Sequence, residues 1–159
     1  MRVLLAVDGS ECSEAAIREV AARAWPAGTE IRVITALELP LAPTSETWAL
    51  PLDYFDMLDQ AVREHAEKIK DAAMLKLTGC SVPSSKVTGN ILPGSPKAVI
   101  LEEAERWNAD LIVLGSHGYG LWQRFLLGSV SQAVVSHAKC SVEVVRLRDR
   151  AATGEKKAA

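Results

Sequence analysis

The sequence lacks any apolar run long enough to cross a lipid bilayer as a helix, which takes about 20 consecutive residues. It also lacks the features of a secretory signal. One basic residue, Arg2, precedes a short apolar run over 3–7 that stops at Asp8, whereas a signal peptide needs a longer apolar segment followed by a cleavage site. This start is more typical of a β-strand. We therefore expect a cytoplasmic protein with no membrane span.

The sequence has no excess of basic residues. Lys and Arg number 18 against 20 Asp and Glu, which gives a net charge of −2 at pH 7. Domains that bind nucleic acid through a broad surface are usually strongly basic, so we expect no nucleic-acid partner. The apolar fraction of 48% and the charged fraction of 24% are typical of a globular protein, and 159 residues suffice for one domain with a core.

Cysteine is scarce and widely spaced. Cys12, Cys80 and Cys140 form no C-x-x-C unit, so their pattern does not indicate a zinc site. Nothing in the sequence indicates the lowered thiol pKa that a redox sensor needs. We therefore interpret the cysteines as small, buried thiols.

Neither of the two best-known phosphate-binding motifs is present. The chain has no Gly-x4-Gly-Lys-Ser/Thr segment and no G-x-G-x-x-G after its first strand. A different glycine-rich segment occupies residues 110–131. It begins with the apolar run Leu111–Leu114, which is typical of a strand buried on both faces of a parallel sheet. Three glycines follow, at Gly115, Gly118 and Gly120, and the pair Gly128-Ser129 then leads into a helical pattern.

This order of strand, glycine loop and helix start is suited to binding an anion. Free N–H groups and the positive end of the helix dipole converge at a helix N-terminus. The hydroxyls of Ser129 and Ser131 can cap the helix, donate to phosphate oxygens or, at Ser129, bind a phosphate-associated metal ion. The sequence therefore predicts a phosphate cradle. The alternative is an ordinary loop with an ordinary N-cap.

The rest of the chain alternates strand and helix patterns. Strand patterns occur over 2–7, 30–37, 86–92 and 141–147, and helical patterns run to about residue 24, over 54–77, over 96–107 and after Ser129. Gly89 suggests a bulge in its strand. The segment over 39–53 contains three prolines and Trp48, and we interpret it as a long loop on the ligand side of the sheet. The pattern predicts a parallel sheet covered by helices.

The spacing Gly115-x2-Gly118-x9-Gly128-Ser129 resembles the G-x2-G-x9-G-S/T nucleotide motif of the universal stress protein family. The flanking residues 110–118 and the opening residues 3–10 also resemble that family. The likeness runs from Arg2 to about Arg148. It implies a single three-layer α/β/α domain over 1–148, with an open, Rossmann-like five-stranded parallel sheet of strand order 3-2-1-4-5, similar to adenine nucleotide alpha hydrolases. Residues 149–159 are expected to form a flexible tail.

The resemblance implies a regulatory module of the stress response that binds ATP together with Mg²⁺ or Mn²⁺. Asp8 would contact adenine or ribose, although Asp8-Gly9 is also a common turn pair. Ala36 would pack on adenine, although a small residue equally suits close packing. No metal site built from the protein alone is implied. The implied nucleotide site consists of Val7, Asp8, Ala36, Leu114, Gly115, Ser116, His117, Gly118, Gly128, Ser129, Val130 and Ser131.

We expect no catalytic residue. His117 lies within the loop, but no second acid or base stands at a helpful spacing, and the loop lacks an evident water-positioning glutamine or glutamate and a P-loop lysine. Arg124 either binds phosphate or faces solvent. The alternatives to a nucleotide-dependent regulator are a slow ATPase, a protein-interaction scaffold without nucleotide, in which Trp122 obstructs the pocket, and a flavodoxin-like module.

The resemblance also implies a homodimer formed through the last strand, over 141–147, and a regulatory protein partner. Two positions depart from the family pattern. Ser141 stands where relatives carry proline, and Glu143 stands where they usually carry an apolar residue. The glutamate raises the question of how this strand pairs, because charges on an edge strand mainly deter further pairing.

Overall fold

The computed structural model describes residues 1–38, 52–78, 86–118 and 127–147. Within these ranges strands and helices alternate. They are β1 (Arg2–Ala6), α1 (Glu11–Ala22), β2 (Glu30–Leu37), α2 (Leu52–Leu77), β3 (Val87–Pro93), α3 (Pro96–Arg106), β4 (Leu111–Gly115), α4 (Ser129–His137) and β5 (Ser141–Val145). None of the described helices is both long and apolar enough to span a membrane. The predictions for residues 39–51, Cys80, Trp122, Arg124 and the tail lie outside the described ranges.

The five strands form one parallel sheet in the order β3-β2-β1-β4-β5, which confirms the predicted fold class and strand order. β1 is central, because Val3 lies opposite Ile31 of β2 on one side and Leu111 of β4 on the other. After β1 the chain adds β2 and β3 on one side of β1, and it then adds β4 and β5 on the other side. Ligands of open parallel sheets bind in the crevice at such a reversal of strand order, outside the carboxyl ends of the strands.

Helices cover both faces of the sheet, and each face has its own hydrophobic core. Successive side chains of a strand point to opposite faces, so in β1 Val3 and Leu5 join the core beneath α1 and α2, while Leu4 joins the core beneath α3 and α4. The continuous apolar runs in the sequence therefore reflect burial on two faces. This packing fixes where the carboxyl ends of β1 and β4 lie.

The helices α1 and α4 begin in different ways, the first with a serine side-chain cap and the second without a side-chain cap. α1 begins after Ser10, whose hydroxyl accepts a hydrogen bond from the N–H of Ser13 at 3.3 Å. α4 has Gly128 at its N-cap and no side-chain cap. The prediction that Ser129 or Ser131 caps this helix was wrong. Ser129 is already the first helical residue, and the hydroxyl of Ser131 donates to backbone carbonyls.

Gly89 does not form the predicted bulge. The pairing of β2 with β3 is uninterrupted from Ile31 opposite Val87 to Leu37 opposite Pro93. A Cβ added at Gly89 would lie 3.1 Å from Lys70 Cγ and 3.2 Å from Met74 Sδ. The glycine therefore allows α2 to pack closely on β3.

β5 is an edge strand whose charged residue is paired within the chain. The carboxylate of Glu143 accepts two hydrogen bonds from the guanidinium of Arg23, at 2.8 Å and 2.7 Å. Arg23 is the residue that ends α1. Two parallel N–H···O bonds between these groups give a charge-assisted, geometrically specific contact. The contact ties the edge strand to α1.

Candidate functional site

A pocket of about 470 Å³ lies at the carboxyl ends of β1 and β4, beside the start of α4. Its size falls in the range of small-molecule sites. The structure places every predicted site residue in its lining except Ser116, which is buried behind the pocket surface. The lining also includes five residues that the sequence reasoning did not select: Ala6, Ser13, Ile34, Pro96 and Ile100. Ile34 could have been found, since it shares a strand face with Ala36 at a spacing of two.

One wall of the pocket is apolar. It is formed by side chains of the core beneath α3 and α4 that reach the end of the sheet, namely Ala6, Ile34, Ala36, Ile100, Leu114 and Val130. Ala36 is half-buried, so its small side chain leaves room in front of it. A flat, weakly polar group such as a purine base fits a surface of this chemistry.

Asp8 provides a carboxylate in the lining of the pocket. Its Oδ1 accepts hydrogen bonds from the N–H of Ser10 at 2.9 Å and from the hydroxyl of Ser10 at 2.7 Å, so the turn anticipated for Asp8-Gly9 is present. Within the described part of the chain, Asp8 Oδ2 accepts no hydrogen bond, and it lies beside Gly118. One carboxylate oxygen therefore holds the turn while the other is available to a ligand.

Each of the three motif glycines lies close to other atoms of the protein, and only at Gly115 would an added Cβ meet backbone atoms at less than 3.0 Å. A Cβ at Gly115 would lie 2.7 Å from the carbonyl carbon of Cys12, and a Cβ at Gly118 would lie 2.7 Å from Asp8 Oδ2. A Cβ at Gly128 would lie 3.1 Å from the carbonyl oxygen of Ser116. Distances below 3.4 Å are too short for a carbon side chain without displacement. The glycines therefore let α1, β1 and α4 close around the pocket.

The peptide groups of Ser116 join three parts of the site. Its N–H donates to the carbonyl of Val145 at 2.8 Å, next to the end of β5. Its carbonyl accepts the N–H of Gly128 at 2.8 Å and the hydroxyl of Ser131 at 2.8 Å. The loop that leaves β4 is thereby fastened both to the edge strand and to the start of α4.

His117 is half-buried at the pocket edge. Its Nδ1 lies 3.2 Å from the hydroxyl of Ser116, and its carbonyl oxygen lies 3.2 Å from the hydroxyl of Ser10. The hydroxyl of Ser116 in turn lies 3.6 Å from the sulfur of Cys12. Cys12 and Cys140 are half-buried, not fully buried as predicted, because both lie at the ends of elements.

The start of α4 supplies the donors of the site. The first amides of an α-helix have no partner within the helix, and the helix dipole places partial positive charge there. Ser129, the first residue of α4, is exposed at the pocket together with the half-buried Val130. An anionic group in the pocket would meet these amides and the hydroxyl of Ser129.

Comparisons with known proteins identify relatives of this chain. A model of the Universal stress protein family matches residues 1–146. A universal stress protein of Thermus aquaticus is 37% identical over 144 residues, covering 91% of this chain and 97% of that one. The solved structure of the universal stress protein UspA from Lactobacillus plantarum is 26% identical, with a TM-score of 0.77, and covers 92% of this chain and 97% of that one. A solved universal stress protein in complex with cAMP is 25% identical, with a TM-score of 0.62 and coverage of 91% and 96%.

Proposed function

This chain belongs to the universal stress protein family, and from that premise we propose that it is a regulatory module that binds ATP in the pocket between β1 and β4. The observation that carries the proposal is the joining of two unlike surfaces in one pocket. The pocket lining combines apolar side chains around Ala36 with a helix start whose first residue, Ser129, is exposed. A nucleotide has the same two parts, a flat base and an anionic phosphate chain.

In the proposed complex the base lies against the wall that contains Ala36. Asp8 Oδ2 accepts a hydrogen bond from the ribose or from the adenine amino group. The phosphates lie at the start of α4, where the amides of Ser129 and Val130 and the hydroxyl of Ser129 donate to their oxygens. The solved relative in complex with cAMP supports an adenine nucleotide as the class of ligand. ATP is our specific choice within that class.

A divalent cation, Mg²⁺ or Mn²⁺, would accompany the nucleotide. No group of three or more His, Cys, Asp or Glu side chains suited to a metal ion occurs within residues 1–38, 52–78, 86–118 and 127–147. Such ions prefer oxygen ligands and commonly bind through substrate phosphates and water. The ligands that fit are therefore the phosphate oxygens, and the exposed hydroxyl of Ser129 would be a protein oxygen at the same helix start. The ion would offset phosphate charge.

Nucleotide binding would act by stabilising one state of the protein. A ligand present at one hundred times its Kd adds about 2.7 kcal/mol to the free energy of unfolding. For a chain of this size, that corresponds to an increase in Tm of roughly 5–11 °C. A partner protein that recognises the stabilised state would then respond to the ATP concentration.

The proposal is tested by thermal unfolding with and without ATP and MgCl₂. Ala36→Leu fills the space in front of the apolar wall, and Ala72→Leu is the matched control because Ala72 is exposed on α2. We expect saturating ATP to raise the Tm of the wild type and of Ala72→Leu by several degrees and to leave Ala36→Leu unchanged. A wild type that shows no shift at millimolar ATP, or an Ala36→Leu variant that keeps the full shift, would contradict the proposal.

We also propose a homodimer formed through the segment 141–147. β5 is an edge strand of the sheet. The ion pair with Arg23 balances the charge of Glu143, which would otherwise deter another strand from pairing with this edge. The N–H of Ser141 and the carbonyl of Val145 bond toward the β4 side. Because backbone groups alternate in direction along a strand, those of Val144 should face the open edge.

Val144→Pro removes one N–H from that open edge without removing a bond to β4. We expect the wild type to sediment as a dimer at tens of micromolar and Val144→Pro to sediment as a folded monomer. A monomeric wild type, or a variant that remains dimeric, would contradict the proposed interface.

A further inference from the structure

We infer that Ser131 is a positioning residue that holds the phosphate end of the pocket together, and that its hydroxyl does not contact the nucleotide. The inference rests on the proposed nucleotide site, because it assigns roles within that site. Ser131 Oγ lies 2.8 Å from the carbonyl oxygen of Ser116 and 2.9 Å from that of Gly128. The residue is only 2% exposed.

A serine hydroxyl has one proton to donate. Both neighbours of Ser131 Oγ at hydrogen-bond distance are carbonyl oxygens, which only accept. The proton is therefore already committed within the protein, either to one carbonyl or shared between both. A phosphate oxygen, which also only accepts, would have to take this proton from a buried bond, and a buried carbonyl left without its donor costs free energy.

The bonds of Ser131 connect the two ends of the glycine loop. The carbonyl of Ser116 belongs to the residue that follows β4, and Gly128 is the N-cap of α4. The N–H of Gly128 reaches the same carbonyl at 2.8 Å. Ser131 therefore adds a second bond to a junction that sets the position of the first amides of α4, which are the proposed phosphate donors.

Ser129 provides the contrast within the same helical turn. It is exposed at the pocket, and α4 has no side-chain cap bond. The two hydroxyls are two residues apart on a helix, a spacing at which side chains do not share a face. The structure thus separates the roles: Ser129 faces the ligand, and Ser131 faces the loop.

The test compares Ser131→Ala, Ser131→Cys and Ser131→Thr with Ser129→Ala as the matched control. Ser131→Cys keeps the approximate shape but replaces the hydroxyl by a weak donor, and Ser131→Thr restores a hydroxyl. Two quantities are measured for each purified variant. The first is the hydrogen-exchange rate of the Gly128 amide by NMR without nucleotide. The second is the Kd for ATP with MgCl₂ by calorimetry.

We expect Ser131→Ala and Ser131→Cys to accelerate exchange of the Gly128 amide in the nucleotide-free protein. The expected change is on the order of fivefold to tenfold, the size of one intramolecular hydrogen bond. The same variants should weaken ATP binding by a similar factor, and Ser131→Thr should recover both. Ser129→Ala should weaken ATP binding while leaving Gly128 exchange within about twofold of the wild type.

Two results would overturn the inference. Unchanged Gly128 exchange in Ser131→Ala and Ser131→Cys would show that the hydroxyl does not hold the junction. Weaker ATP binding with unchanged exchange would show a direct contact with phosphate. The proposed function fails differently. If the wild type does not bind ATP but Ser131→Ala still accelerates Gly128 exchange, the positioning role stands and the nucleotide proposal falls.

Discussion

Replacing Gly115, the last residue of β4, with alanine tests how closely α1 packs against the end of this strand. The added Cβ would lie 2.7 Å from the carbonyl carbon of Cys12, 2.8 Å from Cys12 Cβ and 2.8 Å from the nitrogen of Ser13. Non-bonded carbon atoms prefer about 3.5–4.0 Å, so α1 must retreat from β4 by most of an ångström. The backbone of Gly115 has no positive φ, and the substitution therefore introduces no conformational strain.

The cost of this retreat is the cost of overpacking. Overpacked sites typically lose about 1–3 kcal/mol, and we expect the upper end because the obstructing atoms belong to a helix backbone that packs on the core. A loss of about 3 kcal/mol lowers the Tm of a chain of this size by roughly 6–12 °C. The measurement is thermal unfolding followed by circular dichroism, in the absence of nucleotide.

Gly89→Ala is the matched control. The three atoms nearest to its Cβ, at 3.1–3.2 Å, would all belong to the flexible side chains of Lys70 and Met74. Those side chains can move, and alanine loses less conformational entropy than glycine on folding, so we expect a Tm within about 3 °C of the wild type. If Gly115→Ala melted as close to the wild type as Gly89→Ala does, the close approach of α1 to the end of β4 would be refuted.

Three further predictions concern other contacts. Gly118→Ala should displace the Asp8 carboxylate and lower the free energy of unfolding by about 1–2 kcal/mol. In an Asp8→Ala background the same change should cost less than about 0.5 kcal/mol. Equal costs in the two backgrounds, measured by chemical denaturation, would contradict the contact. A double-mutant cycle of Arg23→Ala and Glu143→Ala should give a coupling free energy of about 1 kcal/mol at low salt. The coupling should be smaller in 1 M NaCl, because both side chains are partly exposed and salt screens their charges. A coupling that does not depend on salt would argue against an ion pair. Burial raises the pKa of the Cys140 thiol, so less of it is thiolate at pH 8. Its alkylation by iodoacetamide at pH 8, monitored by peptide mass spectrometry, should therefore be slower than the alkylation of glutathione. An equal or faster rate would contradict a buried environment for this thiol.

The positions of the strands were predictable from local patterns in the sequence, most clearly for β4. The run Leu111–Leu114 is apolar at every position, and such a run indicates burial on both faces. The order of the strands came from the resemblance, since local patterns do not state which strands are neighbours. The pocket residues followed from the same source, because the motif Gly115-x2-Gly118 and the turn at Asp8 both stand at strand ends that the sheet brings together.

The contacts behind the pocket were not predictable, because they depend on the separation of distant elements. A glycine in the sequence can mark a position where another element packs closely, but it does not show which atoms lie there. Gly89 was expected to mark a bulge, whereas the atoms nearest to it are side-chain atoms of α2. The partner of Glu143 was not predictable either, because Arg23 is distant in the sequence and lies at the end of α1.

The direction of a serine hydroxyl was equally undetermined. Ser129 and Ser131 both adjoin Val130, and from the sequence alone either could have capped α4. Only the packing of the helix start against the loop shows that the hydroxyl of Ser131 reaches the carbonyl of Ser116. A one-residue difference in where the helix begins decides which hydroxyl faces the pocket.

A crystal structure of the protein grown with excess ATP and MgCl₂ tests the central claim most directly. We expect electron density for the adenine against Ala36 and phosphate oxygens within hydrogen-bond distance of the amide and hydroxyl of Ser129. A pocket without nucleotide under those conditions, or ATP bound elsewhere on the protein, would contradict the account.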